Sequence, residues 1–143
     1  MDEPTWMEKP EVLIAHSRQL AEHGGSDGVR DENLLDSALA KPKNVFAYEE
    51  QPTLARLAAS YAFGLARNHP FIDGNKRTAM VVAEGFLRVN GVRVDAPAAE
   101  KYLTYLGLAA GEVSEEQIAA WYGHHAGSNQ GLTTGVHPSL FCL

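Results

Sequence analysis

The apolar positions of this chain recur mostly at the spacing of an amphipathic helix. Residues 52–68 show it best, because their apolar side chains fall at the i, i+3, i+4, i+7 intervals that gather on one helix face. Those side chains are Leu54, Leu57, Ala58, Tyr61 and Leu65. Residues 75–89 are apolar nearly all round, which is typical of a helix buried at the centre of a domain. Glu84 and Arg88 are four apart in it, a spacing that predicts a pair where this helix meets solvent.

Two shorter helices are predicted nearer the N-terminus. The first covers residues 10–23, because a proline opens it and Gly24 follows its end. The second covers residues 32–40 and is predicted to end before Pro42, since proline disfavours helical geometry in the residue before it. Residues 43–51 lack a helical period and hold side chains that favour extended backbone, so they predict a mobile loop or small hairpin.

The C-terminal part predicts two more helices and a tail. Residues 97–110 have an apolar face formed by Tyr102, Leu103, Leu106 and Ala110. Ser114 with Gln117 resembles the capping box that opens a helix. Residues 127–143 are rich in Gly, Ser and Thr and predict a flexible tail. The expected fold is a single all-α domain of about six helices over residues 1–126, with a short flap loop or hairpin.

Composition and charge narrow the classes of function. The chain has 143 residues, of which 45% are hydrophobic, so a folded domain is expected rather than disorder. Its net charge of −6 disfavours a nucleic acid as the main partner, because such binding needs a basic face. We expect neither a signal peptide nor a membrane span. The one cysteine, Cys142, cannot form an internal disulfide, which fits a cytoplasmic location.

The candidate chemistry lies in residues 69–78, His-Pro-Phe-Ile-Asp-Gly-Asn-Lys-Arg-Thr, where the predicted central helix begins. A helix start carries unpaired N–H groups and a positive dipole end, which attract phosphate. Lys76 and Arg77 are unfavourable at that end unless an anion lies between them. His69 precedes a proline, which keeps it outside the helix, where it suits a general base for a hydroxyl group.

Each of these residues also has a structural interpretation. His69 could satisfy the end of the preceding helix instead of acting as a base. Asp73 could cap the next helix, or it could hold Mg²⁺, which binds one or two carboxylates together with substrate phosphates. Gly74 allows a phosphate to approach the backbone, and Asn75 offers either an amide donor or a helix cap. The two adjacent cations could simply extend into solvent.

Taken whole, the segment resembles the signature of the Fic/Doc superfamily, His-x-Phe-x-(Asp/Glu)-Gly-Asn-x-Arg. The fixed positions are matched by His69, Phe71, Asp73, Gly74, Asn75 and Arg77. Residues 24–31, 34–39 and 86–91 are also similar to segments of Doc toxins, so the likeness covers about residues 10–125.

Lys76 and Met80 make the chain similar to the Doc branch. Fic enzymes that transfer AMP usually have glycine at the first position and arginine at the second. The resemblance to Doc implies a Mg²⁺- and ATP-dependent protein kinase, the toxin of a toxin–antitoxin pair. Such a toxin transfers the γ-phosphoryl group to a threonine or serine hydroxyl of a translation factor and so blocks translation. Within this family the target is elongation factor Tu.

The resemblance also implies a role for each residue of the motif. His69 would deprotonate the target hydroxyl, and Asp73 would hold Mg²⁺ against the phosphates. The flap at residues 43–51 would hold an extended target segment by strand addition. The polyphosphate would be bound by the Gly74 N–H, the Asn75 side chain, Lys76 and Arg77.

Control by a separate chain is the further expectation. The inhibitory pattern of many Fic proteins, Ser/Thr-x-x-x-Glu-Gly/Asn, finds no match here, because Met80 stands where Glu84-Gly85 would require Ser or Thr. The resemblance then implies a small antitoxin of the Phd type that folds on binding. Three alternatives stay open: a Fic-type AMP-transferase, a non-enzymatic interaction domain with an idle nucleotide site, and a metal site formed by His124, His125 and His137.

Overall fold

The structure, a computed structural model, describes residues 1–128, which form six helices and a small antiparallel sheet. The elements in chain order are α1 (Lys9–His23), α2 (Glu32–Tyr48), α3 (Leu54–Arg67), α4 (Asn75–Val89), β1 (Val92–Val94), α5 (Ala98–Ala110), α6 (Glu115–His125) and β2 (Ala126–Ser128). The prediction of an all-α domain with six helices is confirmed. Within residues 1–128, no helix has both the length and the apolar character needed to cross a membrane.

Helices α3 and α4 form the centre of the domain and are packed against each other. Close packing of α3 on α2 depends on Gly64, where an added Cβ would lie 2.8 Å from the Cβ of Ala38. Several large side chains of the core are fully buried, among them Tyr61, Phe71, Phe86 and Tyr122. Because Phe71 belongs to the candidate motif, the core itself anchors the motif segment.

Helix α2 shows that the prediction of a loop or hairpin was wrong for residues 43–48. The helix does not end at residue 40 but continues through Pro42 to Tyr48. Its buried residues recur every three or four positions: Leu35, Ala38, Pro42 and Val45. Burial of this continuous face outweighs the hydrogen bond that a proline inside a helix removes. Residues 49–53 are left as a short connection, so the flap loop or hairpin expected for target docking is absent from the described part of the chain.

The ordered domain extends slightly beyond its predicted end at residue 126. In the sheet, Gly127 lies opposite Arg93 and Ser128 lies opposite Val92. These two residues therefore belong to the fold, not to a flexible tail. The prediction for the rest of the tail, residues 129–143, falls outside the described residues.

A buried polar cluster, which we call the Glu84 cluster, ties α4 to α5 and α6. Glu84 is only 2% exposed and accepts hydrogen bonds from Lys101 Nζ at 2.8 Å and Tyr105 Oη at 2.7 Å. The Tyr122 hydroxyl completes the cluster at 2.7 Å from that of Tyr105. Burial, together with the charge of Glu84, raises the pKa of both tyrosines well above the usual value. The solvent-facing position predicted for Glu84 was therefore wrong.

Candidate active site

The loop between α1 and α2, residues 24–31, lies along the motif segment, residues 69–73. The carbonyl of Pro70 accepts the N–H groups of Arg30 at 2.7 Å and of Asp31 at 3.1 Å. An isolated antiparallel bridge between Val29 and Phe71 continues the pairing of the two segments. The motif is therefore held by backbone hydrogen bonds to a loop that is far away in sequence.

His69 is exposed and has an unusual backbone conformation that Arg30 stabilises. Its φ is +49°, and it is the one non-glycine residue with positive φ in residues 1–128. Such a conformation is uncommon for residues with a side chain. The guanidinium of Arg30 bridges two consecutive carbonyls, that of His69 at 2.7 Å from Nε and that of Asn68 at 2.9 Å from Nη2. Arg30 thus fixes the point from which the imidazole projects into solvent.

The carboxylate of Asp73 is oriented by backbone N–H groups from both loops. Gly74 donates to Oδ1 at 2.9 Å, and Ser26 donates to Oδ2 at 3.3 Å. Gly25 lies directly beneath with a φ of +125°, and an added Cβ would come within 2.9 Å of Oδ2. A glycine is therefore needed at position 25 to let the carboxylate sit against the α1–α2 loop.

Asp73 does not cap α4, so one structural interpretation of this residue is wrong. The N-cap is Gly74 in the left-handed conformation, with φ +78° and no side-chain cap. In residues 1–128, no three His, Cys, Asp or Glu side chains gather into a metal site. An Mg²⁺ ion would therefore depend on the exposed Asp73 carboxylate and on phosphate oxygens, a ligand set that Mg²⁺ adopts with nucleotides.

Asn75 holds the motif together instead of facing a ligand. Its side chain is buried, with Oδ1 accepting from the N–H of Phe71 at 2.9 Å and Nδ2 donating to the carbonyl of Phe71 at 2.9 Å. The predicted binding of phosphate by this amide does not agree with the geometry. The N–H of Gly74, also predicted to bind phosphate, is donated to Asp73 in this structure.

Lys76 and Arg77 are both exposed in the first turn of α4, which contains no acidic residue. Neither side chain forms a hydrogen bond or ion pair with the part of the chain that the structure describes. Two cations at the positive end of a helix repel the dipole and each other. A bound anion would relieve both repulsions, so this turn is well suited to a polyphosphate.

His16 of α1 is a further residue of the site, and it was not predicted from the sequence. The residue is only 3% exposed, and its Nε2 lies 2.8 Å from the carbonyl oxygen of Asp73. Its ring stacks on that of Phe71, with centroids 3.8 Å apart and planes 9° from parallel. A signal was present, because His16 shares the buried face of α1 with Val12 and Ala15.

The alternative of a histidine metal site finds no support in residues 1–128. Both ring nitrogens of His125 are engaged, Nε2 with Glu100 Oε1 at 3.0 Å and Nδ1 with the carbonyl of Asp95 at 3.1 Å. The ring of His124 packs against that of His125. His137, the third residue of this alternative, lies outside the described residues.

Comparison with known proteins agrees with the motif. A family described as the Fic/DOC family matches residues 6–87. Over 112 residues the chain is 40% identical to "Protein kinase doc" of Escherichia phage P1, covering 77% of this chain and 87% of that protein. It is also 42% identical over 92 residues to "Toxin Doc" of Mycolicibacterium smegmatis, covering 64% of this chain and 68% of that protein. The predicted resemblance is thereby confirmed: the chain belongs to the Fic/Doc family, in its Doc branch.

Proposed function

We propose that this protein is a Doc-type toxin and a Mg²⁺-dependent protein kinase. It would transfer the γ-phosphoryl group of ATP to a threonine or serine hydroxyl of a translation factor, elongation factor Tu, and so block translation in the cytoplasm. The observation that carries the proposal is the start of α4, where the exposed His69 and Asp73 precede a turn whose two cations, Lys76 and Arg77, find no partner in residues 1–128. The relative called "Protein kinase doc" supports phosphoryl transfer in particular.

In this mechanism His69 is the general base. Its imidazole takes the proton of the target hydroxyl while the hydroxyl oxygen attacks the γ-phosphorus. The bond from that phosphorus to the β,γ-bridging oxygen breaks, and ADP leaves. A positioned base contributes about 10²–10⁴-fold to such a rate. The Arg30 contacts serve this step, because they fix the backbone that carries the imidazole.

Lys76 and Arg77 would stabilise the negative charge of the polyphosphate. Phosphoryl transfer depends mostly on positioning and on electrostatic stabilisation of charge that spreads over the phosphoryl oxygens. Mg²⁺ held by Asp73 would neutralise part of that charge when it is bound. AMP-transferring Fic enzymes usually have glycine where this chain has Lys76. The resemblance to Doc implies an orientation of ATP in which the terminal phosphoryl group faces the acceptor, and Lys76 would lie beside the polyphosphate in that orientation.

Asn75 and Phe71 would keep the motif rigid during transfer. With both ends of its amide on the backbone of Phe71, Asn75 locks the turn that separates His69 from Asp73. A fixed separation of base and carboxylate reduces the reorganisation that transfer requires. Control would come from a small antitoxin of the Phd type, which would bind the toxin and neutralise it.

The proposal is tested with ATP labelled on either the γ- or the α-phosphate and purified elongation factor Tu as the acceptor. We expect elongation factor Tu to become labelled only when the label is on the γ-phosphate. Label from the α position would contradict the kinase and support the AMP-transferase alternative. Label from neither, together with growth arrest that survives His69→Ala, would support the idle interaction domain. His124→Ala is the matched control, because it removes an exposed histidine elsewhere.

A further inference from the structure

We infer that His16 is a positioning residue for the proposed transfer, and that it acts by fixing the peptide bond between Asp73 and Gly74. This inference rests on the proposed function. At 3% exposure the ring is covered by protein, so it does not meet a nucleotide or a target hydroxyl directly. Any effect on chemistry has to pass through the motif residues that the ring contacts, which are the backbone of Asp73 and the side chain of Phe71.

The hydrogen bond from His16 to Asp73 sets the direction of this peptide. A carbonyl oxygen can only accept, so the contact of 2.8 Å means that Nε2 carries a proton and donates it. A trans peptide is planar, with its C=O and N–H pointing in opposite directions. Holding the carbonyl of Asp73 toward α1 therefore turns the N–H of Gly74 to the other side.

That other side is the side of the proposed metal and phosphate site. There the N–H of Gly74 meets Oδ1 of Asp73 at 2.9 Å. The same peptide thus orients the carboxylate proposed to hold Mg²⁺, because this carboxylate accepts the N–H of Gly74. If this peptide rotated, its carbonyl oxygen would replace the N–H and repel the polyphosphate.

Nothing intrinsic to Gly74 prevents such a rotation of the peptide. Glycine adopts positive and negative φ almost equally well, and Gly74 has a φ of +78°. The side chain of His16 lies against this residue, because a Cβ placed on Gly74 would be 3.7 Å from His16 Cδ2. Contacts therefore have to hold the peptide: the donor from α1 holds its carbonyl end, and the Asp73 carboxylate holds its N–H end.

Two substitutions of His16 distinguish the effect of its N–H donor from the effect of its stacking ring. The imidazole stacks on Phe71 at 3.8 Å, and an aromatic hydrocarbon would supply that packing equally well. His16→Phe therefore keeps a stacking ring but lacks the N–H. His16→Gln loses the ring but offers an amide nitrogen at a similar reach. These two variants remove one property each, so they distinguish positioning through the hydrogen bond from packing alone.

The first measurement needs no ligand. The amide signal of Gly74 and its hydrogen-exchange rate are compared by NMR in the wild type, His16→Phe and His16→Gln. We expect a shifted signal and faster exchange in His16→Phe, with His16→Gln close to the wild type. An unchanged Gly74 amide in His16→Phe would overturn the inference. His16→Met also lacks a donor and takes the place of His16→Phe if that variant does not fold.

The second measurement is the affinity for Mg²⁺–ATP by titration calorimetry, with thermal unfolding as the fold control. Loss of an outer-shell partner typically weakens metal binding by about 10–100-fold, which is the expectation for His16→Phe, whereas His16→Gln should remain within about threefold. Equal losses in both variants at equal melting temperature would refute the role of the donor. If the wild type binds no Mg²⁺–ATP, the proposed function fails, while the Gly74 amide still decides the claim about the peptide.

Discussion

Helix α4 carries two sets of polar residues, and the fold treats them in opposite ways. At its first turn, Lys76 and Arg77 are exposed and find no partner in residues 1–128. In its second half, Glu84 is buried and both of its carboxylate oxygens accept hydrogen bonds. The comparison teaches that groups needed for stability are satisfied within the protein, whereas groups left unsatisfied at a helix start are available to a ligand.

The two arrangements have different costs. A cation at the positive end of an exposed helix costs only about 0.3–1 kcal/mol, which the fold can tolerate. An unpaired charge in the interior costs several kcal/mol, so Lys101 and Glu84 are stable there only as a pair. Changes in the Glu84 cluster should therefore affect unfolding, and changes in the motif should affect chemistry.

The largest expected effect on stability follows from Glu84→Ala. It leaves the Lys101 ammonium buried without its carboxylate and removes the acceptor of Tyr105. We expect a loss of about 3–5 kcal/mol in the free energy of unfolding, measured with urea. The exposed Glu116→Ala in α6 is the control and should change stability by less than about 0.5 kcal/mol. A loss in Glu84→Ala as small as in the control would contradict the assigned role of the cluster.

A second substitution, Arg30→Ala, should damage chemistry with little effect on the fold. It frees the carbonyls of Asn68 and His69, so the imidazole is no longer held in place. A misplacement of about 1 Å can cost about a hundredfold in rate, and we expect a loss of that order in kcat with little change in the KM for ATP. Arg18→Ala, an exposed position of α1, is the matched control. Full activity in Arg30→Ala would mean that the backbone of His69 keeps its conformation without the contacts of Arg30.

Much of this architecture could be predicted from the sequence, because local signals decided it. The bounds of α4, residues 75–89, agree with prediction, since a glycine precedes the helix and Asn90 follows it. The capping box at Ser114 and Gln117 is present in the structure as well. Where a signal acts within a few residues, the chain resolves it without help from tertiary packing.

The errors have one physical cause, which is that tertiary packing overrides local preference. Pro42 predicts a helix end, but α2 continues past it to Tyr48 because the helix face that contains Pro42 is buried. The apolar face indicated for helix α5 points to solvent, with Tyr102 61% and Leu103 64% exposed. Instead, α5 packs through the side that holds Lys101, because that side reaches Glu84. The partners that decide such cases lie too far away in sequence for local patterns to indicate them.

The candidate site divides in the same way. His69 and Asp73 were predicted as site residues from the motif, since their residue types and order carry a chemical meaning. The supporting residues His16, Gly25 and Arg30 were missed, because each acts on the motif from a distant segment. Their contacts with the motif become visible only when α1 and the α1–α2 loop lie against it.

Alkaline pH should weaken the fold through the Glu84 cluster. In the unfolded chain Tyr105 and Tyr122 lose their protons near pH 10, whereas in the folded chain their pKa is raised well above that value. The unfolded state thus binds fewer protons, so stability is intact below about pH 9 and falls above pH 10, by about 1.4 kcal/mol per pH unit for each hydroxyl. Urea unfolding at pH 8 and pH 11 measures this. Tyr48→Phe, at an exposed position, should leave the slope unchanged.

The smallest of these effects is expected for Tyr122→Phe. Its hydroxyl bonds to Tyr105 at 2.7 Å but does not touch Glu84 directly, so the ion pair with Lys101 survives. We expect a loss of about 1 kcal/mol in unfolding free energy and an unchanged rate of phosphoryl transfer. A strong loss of activity in this variant would show that the interior of α4 and its first turn are coupled.

The most direct test of the account is the rate at which His69→Ala transfers γ-phosphate from ATP to elongation factor Tu, measured beside its melting temperature. We expect a rate lower by about 10³-fold at an unchanged melting temperature, since the exposed imidazole acts in chemistry and not in folding. Transfer at the wild-type rate by His69→Ala would contradict it, because the exposed groups at the start of α4 would then not be the reacting ones.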